Sequence, residues 1–154
     1  MTIRLNITEA ELTSFTKEIR QKVEDARPKV QADMALKFQE CVLDNFGESG
    51  PFRTIPWVKL SPAYAKKVGR TYATLEVSGA LKSNVLLSAD GSPDHMAVEA
   101  DNAMIPYSTV HQYGGGNNIP ARPYFPITED GEVIESVNMI VTDAARLALQ
   151  EALT

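Results

Sequence analysis

His111 and Gln112, running into Tyr113-Gly114-Gly115-Gly116, are the residues of this chain best suited by type to do chemistry. An imidazole titrates near neutral pH and can act as a general base or a metal ligand. Hydrolysis through a nucleophile requires a Ser or Cys oriented by that imidazole, and no nucleophile elbow accompanies His111. The other histidine, His95, stands between Asp94 and Met96, and the single cysteine, Cys41, has no histidine near it in sequence. Two scattered histidines and one cysteine lack the three- or four-ligand spacing of a metal centre. The glycine run and Asn117-Asn118 are followed by no Lys-Ser/Thr pair, and Pro120-Ala121-Arg122 opens no helix, so a phosphate cradle does not follow from them. The expectation is therefore no enzyme, with no catalytic, cofactor or metal residues. A small hydrolase or ligand-binding domain using His111 is the alternative.

A structural role fits the same residues better. Three consecutive glycines permit positive φ, while Pro120 and Pro123 fix φ and remove amide donors, which makes 113–123 a shaped Gly/Pro loop. His111 and Gln112 can each donate and accept hydrogen bonds, and are expected to tie the end of a short helix to loop amides that would otherwise lack partners. Arg122, between two prolines, presents its planar donor fork in a fixed direction. It either bonds carbonyls or an acid within its own subunit, or bridges to a carboxylate on an adjacent one. Tyr113, Tyr124 and Phe125 read as core residues taken singly, although aromatic residues and Arg together are what interfaces enrich.

The elements that must position these residues follow from periodicity and breakers. Ile3, Leu5 and Ile7 alternate as in a short strand, and Thr8-Glu9-Ala10-Glu11 has the form of a capping box. Leu12, Phe15, Ile19 and Val23 then recur at helical spacing, and Pro28 predicts a break or kink near 26–28. A second helical stripe, Val30, Met34, Phe38, Cys41, Val42 and Phe46, ends at Gly47. The segment 47–70, with Pro51, Pro56 and Pro62, reads as a long ordered loop with short elements, anchored by Trp57, whose indole N–H wants a partner. A short strand is expected over 71–76, a single helical turn at Ser78-Gly79-Ala80-Leu81, and a hairpin from Val85, Leu87 and Ala89 to Met96, Val98 and Ala100. A short helix over 105–113, a strand over 124–127 and a helix over 132–153 complete the chain; Val133, Val137, Ile140, Val141, Ala144, Leu147 and Ala148 mark its inner face. The fold class expected is α+β: a mostly antiparallel sheet of about four strands, with N-terminal helices and a long C-terminal helix.

At 154 residues the chain suits one domain, 1–154, and 44% hydrophobic content is enough for a buried core. A net charge of −5 argues against sequence-specific or broad nucleic-acid binding, which needs clustered cations. The one basic cluster, Lys66-Lys67 with Arg70, reads as a solvated loop, or else as a contact for an acidic partner. No apolar run approaches the length of a bilayer span and no export signal is visible, so folding in a reducing cytoplasm is expected, with Cys41 a small core hydrophobe rather than a reactive thiol.

Two ordered blocks carry a resemblance. The first runs from Trp57 through Leu60-Ser61-Pro62-Ala63-Tyr64 to Leu75-x-x-Ser78-Gly79-Ala80-Leu81. The second is Ile105-Pro106-Tyr107, then His111-Gln112-Tyr113-Gly114-Gly115, then Ile119-Pro120-Ala121-Arg122-Pro123-Tyr124. Together they resemble the virion morphogenesis family of tailed, Mu-like bacteriophages, small proteins of tail completion and head–tail joining. The chain departs from the family pattern at Tyr107-Ser108-Thr109, where relatives carry Tyr-Ala, and at Tyr124-Phe125-Pro126, in place of Phe-Leu-Gly. The resemblance implies a structural protein of the virion, assembled in the host cytoplasm as a homo-oligomeric ring, with six copies to match tail symmetry. That ring would contact tail-tube or neck and connector proteins and no membrane. It also implies that Trp57, Ser61, Pro62, Tyr64, His111, Gln112, Gly114, Gly115, Pro120, Ala121, Arg122, Pro123 and Tyr124 serve the structural motif or the subunit interface. A non-virion assembly factor is the second alternative.

Overall fold

A computed structural model describes residues 7–47, 49–69, 75, 79–88, 97–100, 103–116 and 118–154. Helix α1 spans Glu9–Asp44 and opens as its sequence dictates. The Thr8 hydroxyl accepts from the Glu11 amide at 3.3 Å while the Glu11 carboxylate accepts from the Thr8 amide at 2.9 Å. Donation from the Thr8 hydroxyl to that carboxylate at 2.7 Å, and then from the Thr8 amide, holds the Glu11 carboxyl below the usual carboxylate range.

Of the break or kink expected near Pro28, the break does not occur: α1 continues through it. Proline removes one amide and crowds the carbonyl four residues back. Residues 27–29 lie on the solvent side, where water can serve the freed carbonyl, and an Arg27–Glu24 ion pair at 2.9 Å and a Lys29–Asp33 pair at 3.3 Å brace the turns on either side. The helix ends on Asn45, two residues before Gly47.

The closing helix is Glu135–Leu153, beginning three residues later than its pattern predicts; as the last helix of five it is α5. It packs along α1 in the opposite direction. Its C-terminal end lies at Lys29, whose Nζ meets Glu151 at 2.8 Å, while its start hangs from Pro126, which accepts from the Ile134 amide at 3.0 Å. Val137 and Ala148 are buried on its inner face, but Val133 and Leu147, assigned to that face by spacing, are exposed.

Three short helices lie between: α2, Pro62–Val68; α3, Ala80–Ser83; and α4, Ser108–Tyr113. Helix α2 stands inside the segment expected to be loop, with Ser61 as N-cap, Pro62 at the first turn and Gly69 in the left-handed region at φ 68°. Lys66 and Lys67 occupy its last turn, where cations suit the helix dipole; Arg70 lies outside the described residues.

The four-stranded sheet is not what the chain forms. Among the described residues there is one two-stranded antiparallel ladder, β1 (Val85–Ser88) against β2 (Ala97–Ala100), with Val85 opposite Ala100 and Ser88 opposite Ala97. It packs on α1, and Gln39 of α1 donates to the Val85 carbonyl at 3.0 Å. The strand expected at 124–127 has no ladder beyond a bridge between Ile127 and Val133, because side chains take the bonds a neighbouring strand would have taken. Ile7 is exposed and in no element; the rest of the expected 3–7 strand, the 71–76 strand except Leu75, Ser78, the 89–96 turn and His95 lie outside the described residues.

The core therefore collects at the C-terminal end of α1, where Val42, Phe46, Trp57, Leu81, Val85 and Tyr124 bury against one another. Cys41 is buried there, and burial pushes its thiol up, away from the reactive thiolate. No described helix is long and apolar enough to cross a membrane.

Candidate functional site

Three buried polar side chains grip one extended segment, 121–126. Gln112, near the end of α4, accepts at Oε1 from the amides of both Tyr124 and Phe125 at 3.0 Å and donates from Nε2 to the Phe125 carbonyl at 3.3 Å. Asn45, the C-cap of α1, donates to the Tyr124 carbonyl at 3.0 Å and accepts from the Phe52 amide at 2.9 Å. Trp57 donates from its indole nitrogen to the Pro123 carbonyl at 2.9 Å. A segment with no strand partner thus has its backbone groups satisfied by amide and indole side chains, as buried backbone requires.

A second layer fixes the grip. The Arg53 guanidinium lies 3.6 Å from the Trp57 ring centre and donates to the Asn45 carbonyl at 2.7 Å and to the Gly47 carbonyl. The Tyr124 ring packs at 5.2 Å from Phe46 and 5.1 Å from Phe125, and burial pushes its phenol up to about 12.

The expectation for His111 and Gln112 needs correcting. Gln112 serves Tyr124 and Phe125 rather than the glycine loop. The glycine amides are served locally, Gly114 by the Val110 carbonyl at 2.8 Å and Gly115 by the Ile119 carbonyl at 3.0 Å. Gly114 has φ 82°, and a Cβ there would meet the Ala121 nitrogen and the Ile119 carbonyl oxygen at 3.2 Å, so this position requires glycine. His111 contributes its backbone carbonyl, which accepts from the Arg122 amide at 2.6 Å.

The His111 imidazole stands edge-on to Tyr107 at 5.5 Å, and its buried Nδ1 has no hydrogen-bond partner among the described residues. Burial first, and the Arg122 charge second, push its pKa down. The neutral form is therefore the folded form. Stability from this source is present above the unfolded value near 6.5 and is lost as pH falls below it. Melting temperature should drop as pH falls below about 6.5 in the wild type, and His111→Gln should flatten that slope. Equal slopes in the two proteins would show that the imidazole titrates freely.

Arg122 reaches only the Val58 carbonyl, at 3.5 Å, and among the described residues it meets no carboxylate. Its Nε is buried with no partner. Of the remaining expected residues, Ser61 and Pro62 start α2, Tyr64 on α2 is half exposed, and Pro120 and Ala121 lead into the gripped segment. A groove of about 330 Å³ beside the grip is lined by Ile55, Tyr113, Thr128 and Glu129 together with Gln112 and Pro123.

Sequence reasoning missed Asn45 and Arg53. Asn45 had a signal: it follows Cys41 and Val42 by four and three positions, a polar residue placed on an apolar stripe, which is tolerated only when its groups are bonded. Arg53, in a loop without period, had none.

Comparison with known proteins finds no match: no family model, no curated protein and no solved structure matches this chain.

Proposed function

We propose that the chain is a structural protein of a tailed phage or prophage, working as a ring of copies at the neck or the head-proximal end of the tail. The observation that carries this reading is the bond from Trp57 to the Pro123 carbonyl, which joins the two sequence blocks on which the resemblance rests. Two residues 66 positions apart thereby tie the blocks into one structural unit, as expected if they form a shared family feature. Around that unit Tyr64 and Tyr113 remain exposed, and Arg122 meets no carboxylate among the described residues; aromatic residues and Arg are what subunit interfaces enrich.

Light scattering of the purified protein across concentration, beside negative-stain images, tests the reading. Closed rings are expected. A protein that stays monomeric and is missing from purified particles would overturn it. Within the ring, Arg122 meets a carboxylate of the neighbouring copy. Arg122→Ala should then weaken ring formation at least about tenfold, as for a paired interface charge, while shifting the monomer melting temperature little. The reverse ordering would place Arg122 wholly within its own subunit.

A further inference from the structure

The first half of α1 is an arm. The most N-terminal buried residue of the helix is Ala26, one turn before the Lys29–Glu151 pair that marks the end of α5. Ahead of it, Glu9 to Asp25 extends for about 25 Å at about 1.5 Å per residue.

That arm carries the apolar stripe Leu12, Phe15, Ile19 and Val23, of which Leu12 is 56% exposed, Phe15 61% and Val23 39%. Its flanks are charged: Glu11, Glu18 and Lys22 on one side and Arg20 on the other. The stripe runs without interruption into Ala26 and so continues the face that α5 covers farther along α1. A contiguous apolar stripe rimmed by charge is the signature of a helix with a partner.

The sequence of the stripe identifies the partner. Read in reverse, its spacings of three, four and four become four, four and three, close to the same seam. Two arms laid antiparallel place Leu12 against Val23 and Phe15 against Ile19, and the same two layers repeat beyond a twofold axis near Lys17. Each arm supplies four apolar side chains, and the seam has no unpaired apolar position. We propose that the α1 arm pairs antiparallel with the arm of a second copy of this chain. The contact is isologous, the same patch on both subunits. It uses a face remote in sequence from Tyr113 and Arg122 and does not depend on the phage assignment. Glu18 faces its own copy across the axis, which keeps the pair weak enough to dissociate on dilution.

Sedimentation of the full chain across concentration, with three variants, tests the proposal. The wild type should show a reversible, concentration-dependent pairing of its copies, added to any ring it forms. Phe15→Asp should weaken it at least about 100-fold, since a charge would enter an apolar seam. Met139→Asp, at a residue 63% exposed on α5, should leave it unchanged. Thr16→Cys, beside the axis, should give a disulfide-linked dimer under mild oxidation that the wild type, with only its buried Cys41, does not give. This arm of the test does not depend on how well Phe15→Asp folds. A wild type that is monomeric at every concentration, a dimer sensitive to Met139→Asp and not to Phe15→Asp, or Thr16→Cys chains that fail to cross-link would each overturn the proposal. Ring images and particle content, read separately, decide the phage assignment.

Discussion

Gln112→Leu is expected to remove about 3–5 kcal/mol of folding free energy, because each buried backbone group left without a partner costs about 1–3 kcal/mol and three lose theirs at once. Leucine has nearly the volume of glutamine, so no cavity confounds the comparison. The penalty falls short of three full terms because Phe125 is only half-buried, and water can reach part of its backbone. Set against a total stability of about 5–15 kcal/mol for a domain, such a loss would leave a measurable unfolded fraction at body temperature. Urea unfolding of wild type and variant measures it. A loss below about 1 kcal/mol would mean that water already serves the Tyr124 and Phe125 amides. Because Trp57 hangs from Pro123 in the same segment, its fluorescence should report the change in the native baseline as well.

The side chain that carries this prediction was visible in the sequence, but its target was not. Tyr113-Gly114 after His111-Gln112 marked a helix end entering a loop, and α4 ends there. What Gln112 would bond could not be read from spacing, since the nearer glycine amides were equally plausible acceptors of its help and lie closer in sequence. The glycines proved able to serve themselves through Val110 and Ile119, which freed Gln112 for the segment beyond.

The same logic separates the elements that could be read from those that could not. The start of α1 was legible because a capping box is a local pattern, fixed by Thr8 and Glu11 alone. Ser61-Pro62 had equal local content as an N-cap and first-turn proline, yet the prolines around it let the segment be read only as a loop with short elements, not as a helix at 62–68. Helix continuity at Pro28 was not legible, because propensity argues for a break and the opposing terms are ion pairs and the packing of a helix more than a hundred residues later. The four-stranded sheet failed for a related reason. Alternation at 124–127 is compatible with a strand, and only the three-dimensional placement of Asn45, Trp57 and Gln112 shows that side chains have replaced the ladder.

Tyr124 is where that replacement meets the core, and Tyr124→Ala should be the most damaging single truncation in the chain, at about 3–5 kcal/mol. It is 1% exposed, and its ring packs on Phe46, just past the end of α1, and on Phe125 of the gripped segment. Alanine would leave a cavity bounded by the end of α1, by Asn45 and by α4, none of which can collapse without breaking the hydrogen bonds of the grip. Tyr124→Phe isolates the hydroxyl, which shares a side-chain hydrogen bond with Ser108 of α4, and should cost only about 0.5–1.5 kcal/mol. The ratio of the two losses is the informative quantity. If phenylalanine proves nearly as harmful as alanine, the Ser108 hydroxyl rather than ring packing holds α4 to the core. If both are mild, the segment can shift toward Phe46 as a unit, and the grip on it is looser than its hydrogen bonds imply. With ring packing dominant, thermal unfolding should show a large drop for alanine and a small one for phenylalanine. The Gln112→Leu and Tyr124→Ala losses should then combine to less than their sum, since both act on the same backbone.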